Sequence, residues 1–392
     1  MRVLYLAPLL PATSGNGGRK AIFNHVMDLL SSNIKFEAIF VDVEGTGDDL
    51  PVFPRDFPRK VFGRQLPKAG QGLSGKMIGI VQALLGKLPR SIAVVASVPA
   101  RRAIAKTLSD PSLDLIIVDH LNAYGLVRGL ARSARLMYVA HNVEAEVLRH
   151  QIEEMKGMSV TKVLRTIDHS KMVRVERELL KDSDRIVLIG SGDLMLEAIQ
   201  EHLPKVCIWP ELPDEKEQKW QYQGSRKLLF VGSPGYFPNR DAIEWLINIL
   251  MPKIYELDST ITLHLVGSDV KAFAMATLPP NIRFEGFVSD VRLKELHAEA
   301  DLFICPVILG AGIKIKVLEA ASFGMPVLAT AESLKGIDFL LDTAFEFSRT
   351  VPGIARQIIE LLNNEFELVT AGSRGLENLR EARIKRGALV DC

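Results

Sequence analysis

Leu228-Leu229-Phe230-Val231, residues 228–231, is a short apolar run that starts, for the second time in the chain, one alternation of strands and helices. Toward the C-terminus it is followed by Ile261-Thr262-Leu263-His264-Leu265-Val266, Ile282-Arg283-Phe284, Leu302-Phe303-Ile304-Cys305 and Val327-Leu328-Ala329, with helical or turn signals between them. The first pass begins with Val3-Leu4-Tyr5-Leu6 and a helix from about Gly18 to Leu30, whose apolar Ala21, Ile22, Val26, Leu29 and Leu30 recur at helical spacing. Phe36–Val41, Leu115–Val118, Leu136–Val139 and Ile186–Ile189 continue it. Apolar runs of this length separated by helices are strands of a parallel sheet buried on both faces. Between the two passes, Pro210-Glu211-Leu212-Pro213-Asp214-Glu215-Lys216-Glu217 and the polar residues to about Arg226 form an exposed linker. The expected fold class is α/β, with two Rossmann-like doubly wound domains at 1–210 and 225–392 and a linker at about 210–225. Such sheets bind ligands outside the carboxyl ends of their strands, so the domains are expected to face a central cleft.

The chain has 392 residues, more than the roughly 250–300 at which a single core stops growing. A net charge of +1 gives no overall attraction to nucleic acid. The basic residues Arg55, Arg59, Lys60, Arg64, Lys68, Lys76, Lys87, Arg90, Arg101, Arg102 and Lys106 are nevertheless concentrated in the first half. They suit either a solvated face or a surface for phosphate or anionic lipid headgroups. Cys207, Cys305 and Cys392 are too few and scattered for a disulfide framework or zinc site, and the first two read as small core residues. The apolar N-terminus stops at Pro8, too short for a signal segment, and no run reaches the ~18 residues needed to span a bilayer. The apolar stretch 77–85 suits a core helix better than a membrane one. The expected location is the cytoplasm, with peripheral contact at the inner face of the membrane through the basic surface.

Three constellations carry chemistry. In the first, Gly310-Ala311-Gly312 precedes a helix carrying Ile313, Lys314, Lys316 and Glu319. Glycines let backbone approach a phosphate, a helix N-terminus offers unpaired N–H groups, and the two lysines can neutralise a diphosphate. Cations at that end are unfavourable unless an anion arrives, and Glu319 can accept hydrogen bonds from a ribose. The alternative is a solvent-facing loop with a Lys316–Glu319 ion pair. In the second, Gly15, Asn16, Gly17 and Gly18 join the first strand to the first helix and can cradle a phosphate or sugar, or form a plain turn. Lys20 stands where the third glycine of a dinucleotide fingerprint belongs, which disfavours that ligand. In the third, His141-Asn142-Val143-Glu144 and Asp119-His120 follow neighbouring strands, so they reach the ligand-binding rim or serve as local caps. Gly70–Met77 approaches a P-loop, but Met77 replaces the magnesium-binding hydroxyl. Asp182 and Asp184 suit a helix–strand junction better than a metal, and no metal site is expected.

Asp114–His120, Ala140–Glu144, Leu229–Ser233, Phe237–Ala242 and Gly310–Thr330, including Gly324-Met325-Pro326-Val327, make the chain similar to one known family. It resembles the retaining GT-B glycosyltransferases of family four, most closely the bacterial subgroup associated with extracellular polysaccharide. The resemblance implies a nucleotide-diphosphate-sugar donor held by the second domain through Gly232, Ser233, Gly310, Ala311, Gly312, Ile313, Lys314, Lys316 and Glu319. It implies a saccharide or lipid-linked saccharide acceptor held by the first domain, with Asp119, His120 and Glu144 near acceptor or sugar. Transfer is then metal-independent, needs no cofactor and retains the anomeric configuration, the leaving diphosphate assisting departure of the acceptor proton. His141, Lys316 and Glu319 carry the catalytic roles. The sequence departs from the family where a first glutamate gives way to Ala311, a basic residue to Ser233, and a Pro-Asn-Gly turn to the linker around Pro210. A nucleotide-sugar epimerase, which would need acid and base carboxylates about the sugar, and a non-catalytic sugar-binding protein are the rival readings.

Overall fold

The computed structural model describes the chain apart from residues 13–16, 33, 44, 46–52, 54–56, 65–79, 154, 156, 214–218, 269–278, 311 and 348–349. Gly15, Asn16, Lys68, Lys76, Arg55, Ala311 and the Gly70–Met77 run therefore lie outside the described residues, as does part of the linker. The chain divides into two compact units. One comprises Met1–Ile189, Asp193–Trp209 and Ala388–Cys392; the other comprises Gly190–Gly192 and Pro210–Gly387.

The first unit is built on strands β1 (Arg2–Ala7), β2 (Lys35–Asp42), β3 (Arg59–Gly63), β4 (Leu115–Asp119), β5 (Arg135–Ala140), β6 (Arg185–Leu188) and β7 (Val206–Ile208). They form one parallel sheet in the order β3-β2-β1-β4-β5-β6-β7. Its helices include α1 (Gly17–Ser31), α2 (Glu144–Glu153) and α3 (Val160–Asp182). The second unit holds β8 (Lys227–Val231), β9 (Thr262–Val266), β10 (Ile282–Gly286), β11 (Leu302–Cys305), β12 (Val327–Ala329) and β13 (Phe345–Glu346). Their order is β10-β9-β8-β11-β12-β13, again all parallel. Helices α4 (Phe237–Trp245), α5 (Ile315–Ser322) and α6 (Glu365–Arg386) belong to it.

The two sheets share one winding, in which the chain runs outward from a central strand, returns to its other side and runs outward again. The direction reverses between β1 and β4 in the first unit and between β8 and β11 in the second. At such a switch point the following loops leave toward opposite faces and open a crevice at the strand ends. The central strands are buried almost throughout, as with Leu115–Asp119 and Leu302–Cys305, because helices cover both faces. The edge strands β3, β7 and β13 escape sequence reading, since β3 is largely exposed and β7 and β13 span only three and two residues.

The reading of the cysteines is corrected here. Cys207 on β7 forms a disulfide with Cys392, although the cysteine count argued against one and placed Cys207 in the core. The pairing follows from the chain's return: Leu389 is fully buried in the first unit and its N–H donates to Asp28 Oδ2 at 2.8 Å. Among the described residues no helix is long and apolar enough to cross a membrane. The basic set is divided as well: Arg101 donates to the carbonyls of Gly125 and Arg128, and Lys60 pairs with Glu37. Asp182 accepts from the Tyr124 hydroxyl and Asp184 from the Leu136 N–H.

Glu176, on α3, closes the N-terminus of α2 by accepting from the N–H groups of Glu144 at 2.7 Å and Ala145 at 3.0 Å. Burial pushes its carboxyl up to about 8, against the pull of those two bonds. The folded protein therefore holds a proton that the unfolded chain has released above the ordinary glutamate value. Stability should fall as pH rises from about 5 through 8. Urea unfolding at a series of pH values should show this slope, and Glu176→Gln should flatten it.

Candidate functional site

At the switch point of the first unit, the last residue of β4 is a buried carboxylate. Asp119 has no exposed surface and accepts from three side chains. The Tyr5 hydroxyl and His25 Nδ1 (2.7 Å) meet Oδ2, while His141 Nε2 meets Oδ1 at 2.6 Å. Each donor comes from a different element: Tyr5 from β1, His25 from the buried face of α1, and His141 from the end of β5. Burial alone would push the Asp119 carboxyl up, but the two imidazoles and their hydrogen bonds hold it well below the usual carboxylate range. His25, Asp119 and His141 are chemically a zinc-ligand set. Their oxygen–nitrogen separations of 2.6–2.7 Å are nevertheless those of hydrogen bonds, shorter than the roughly 3.3 Å between ligands set by zinc bonds of about 2.0–2.1 Å.

His120 is held with φ at 70°, a left-handed conformation that costs a non-glycine residue on the order of 1–3 kcal/mol. Its ring stacks on His141 with centroids 3.7 Å apart, and its Nε2 is enclosed without a hydrogen-bond partner among the described residues. Burial lowers the His120 imidazole to about 3, so it is neutral at physiological pH. Glu144 lies beside this group at the start of α2, its carboxyl pushed up by burial. Of the residues expected near acceptor or sugar, Asp119 is fully buried and faces three donors of its own unit. Gly17 and Gly18 open α1 as anticipated, the rest of that loop lying outside the described residues.

At the second switch point, β8 and β11 end beside the N-terminus of α5. Lys316, in the first turn of α5, reaches back under the end of β8. Its Nζ donates to Asn239 Oδ1 and lies 4.5 Å from the centre of the Phe230 ring. Asn239 also donates through Nδ2 to the Ser233 carbonyl at 3.0 Å, so one amide ties α5 to the loop after β8. Gly232 completes the fit: a Cβ there would stand 2.8 Å from both Asn239 Cγ and Lys316 Nζ. Burial brings the Lys316 ammonium down to about 8. Ser233 Oγ accepts from Ser268 N at 3.1 Å and Oγ at 2.9 Å, lining the same rim.

Lys314 departs from expectation. It is the cap of α5 and is buried, its Nζ donating to the carbonyls of Gly310 at 3.0 Å and Gly312 at 2.9 Å. The two lysines therefore do not both stand open to an anion; loop carbonyls and the Asn239 amide already offset their charge. Gly310 and Gly312 take φ of 90° and 77°, which lets this loop close on the lysine. Ile313 packs against the core, and Glu319 lies on α5 beyond Lys316, on the same helical face. Asn239, His25, Tyr5 and Ser268 were not singled out as site residues. A signal existed for His25, a polar residue between the buried positions Ile22 and Val26, and for Asn239, which follows Pro238 at a helix start; none existed for Tyr5 within its strand.

Residues 225–364 match the family model described as "Glycosyl transferases group 1", which covers most of the second unit. No curated protein matches the sequence. Among solved structures, the crystal structure of TarM is similar at a TM-score of 0.67 and 11% identity, over 97% of this chain and 95% of that one. Sucrose-phosphate synthase from Thermosynechococcus elongatus is similar at 0.64 and 15% identity, over 97% and 94% of the two chains. HepE from Anabaena, solved with UDP and glucose, is similar at 0.60 and 14% identity, over 100% and 96%. These likenesses establish the fold as GT-B, with two Rossmann-like parallel-sheet domains.

Gly310→Ala should destabilise the second unit by about 1–3 kcal/mol, because the new Cβ meets an unfavourable φ and overlaps its neighbours. It would stand 2.7 Å from Pro238 Cγ and 2.9 Å from the Tyr236 hydroxyl. Lys316→Met should leave thermal stability at pH 7 unchanged or raised, since the folded state holds the ammonium against burial. Calorimetry of the two variants checks both outcomes.

Proposed function

We propose that the chain is a glycosyltransferase that moves a sugar from a nucleoside-diphosphate sugar to an acceptor hydroxyl. The observation that carries this reading is the seat of Lys316: a half-buried ammonium at the switch point, inside the residues that match the glycosyltransferase family model. A cation so desolvated is strongly attracted to an incoming anion. The N-terminus of α5 and the backbone of Gly310 and Gly312 stand beside it to receive a diphosphate. UDP bound to TarM and to HepE supports a uridine nucleotide as the first donor to try.

In this reading Lys316 and the helix N-terminus stabilise the negative charge growing on the leaving diphosphate. Charge stabilisation of this kind is worth on the order of 3–4 kcal/mol for one well-placed donor. Glu319 receives the ribose hydroxyls, and His141 and Glu144 of the first unit meet the transferred sugar or the acceptor. Transfer proceeds with retention and without a metal or other cofactor. The acceptor is a saccharide or lipid-linked saccharide of bacterial surface or extracellular polysaccharide synthesis, reached by peripheral contact with the inner face of the membrane through the remaining basic residues.

Incubation with uridine- and guanosine-diphosphate sugars and candidate acceptors tests the reading. Release of nucleoside diphosphate with a glycosylated product is expected; proton NMR of that product reads retention, and added EDTA should leave the rate unchanged. A changed sugar on intact nucleotide, or saturable binding with no turnover, would replace transfer by epimerisation or by simple binding. Lys316→Ala should lower turnover on the order of 100-fold or more while the protein stays folded. In the parent, kcat/KM for donor should fall as pH rises through about 8, where Lys316 loses its proton.

A further inference from the structure

The group around Asp119 contains more than a sugar contact needs. A buried carboxylate that only touched ligand would keep one face open, whereas Asp119 is closed on every side by protein donors. An ionised carboxylate accepts hydrogen bonds and donates none. The atom of His141 that faces it must therefore carry hydrogen, and that atom is Nε2. The same argument places hydrogen on Nδ1 of His25. With its hydrogen on Nε2, the His141 ring can present a lone pair at Nδ1, for which the described residues supply no hydrogen-bond partner. His120, stacked 3.7 Å away and nearly parallel at 8°, braces the opposite degree of freedom by keeping the ring plane from turning.

We propose that Asp119, itself fixed by Tyr5 and His25, is a positioning residue that locks His141 as the Nε2–H tautomer and so makes its Nδ1 an acceptor for a ligand hydroxyl. The ligand class is a polyhydroxylated one, and this rests on the glycosyl-transfer reading above. Tyr5 and His25 act from the two elements that flank the switch point, so the tautomer is set by the fold and not by the ligand. His120 and His141 thereby take different parts: the first holds a plane, the second presents a lone pair. Asp119→Asn is the informative change. Its amide offers one acceptor and one donor in place of two acceptors, so the ring nitrogens can no longer both donate to it.

The test is nitrogen-15 NMR of protein labelled at histidine, with His141 assigned by its loss in His141→Asn. In the parent near neutral pH, His141 should carry hydrogen on Nε2 and an unprotonated Nδ1. In folded Asp119→Asn that tautomer should be lost or mixed, and sugar transfer should drop on the order of 10–100-fold, the scale on which outer partners of functional histidines act. A parent spectrum with hydrogen on Nδ1 alone overturns the proposal, as does an unchanged tautomer in Asp119→Asn. If that variant does not fold, the parent spectrum and that of Tyr5→Phe, which keeps the carboxylate and should keep the tautomer, still decide. The readout is separate from the function: the stated tautomer without turnover on any sugar nucleotide would sink glycosyl transfer and leave this proposal standing.

Discussion

A parallel sheet covered by helices on both faces has no place for polar chemistry except at its strand ends. Val118, Ile304 and their neighbours are fully buried, so any charge within the layer would face a desolvation cost of several kcal/mol. At the carboxyl ends the constraint relaxes, and it relaxes most where the winding reverses direction. Each unit places a charged group at that reversal: Asp119 after β4 in the first, Lys316 beside β8 and β11 in the second. The remaining features of both candidate sites serve to hold these two charges.

They are held in opposite ways. Asp119 is compensated completely, by a hydroxyl and two imidazoles, and its carboxyl is accordingly held well below the ordinary range. Lys316 has a neutral amide and an aromatic face as partners, and among the described residues no carboxylate is hydrogen-bonded to it. Its ammonium is brought down to about 8, which marks a charge still short of a counter-ion. A charge whose hydrogen bonds are complete suits a structural part; one at a helix N-terminus without a carboxylate partner among the described residues suits the binding of an anion. That contrast distinguishes the two charges, although they stand at corresponding switch points of two similarly wound sheets.

The rim around Lys316 illustrates how close packing substitutes for charge. Ser233 stands where the resemblance anticipates a basic residue, and Lys316 reaches the same loop from α5. It can do so because Gly232 has no Cβ and Asn239 bridges the ammonium to the Ser233 carbonyl. Lys314, its neighbour in sequence, is turned instead into the Gly310–Gly312 loop. Two lysines two residues apart thus do different work: one closes the Gly310–Gly312 loop and the other bonds Asn239 beside the end of β8.

By itself, the sequence determined the class of fold, the two passes of strand and helix, the break near residue 210 and the segments that lie at strand ends. These are local matters, since apolar runs, helical spacing and turn residues act over a few neighbours. It also singled out Gly310–Glu319 and the pair His120–His141 as candidates for chemistry. Tertiary structure decided which of those residues are open and which are consumed. Asp119 became a buried acceptor only because Tyr5 and His25 arrive from 114 and 94 residues away. Asn239 met Lys316 across 77 residues, and Cys207 met Cys392 across 185. Periodicity holds no record of such meetings; they arise when winding brings distant strand ends and loops together at the same edge.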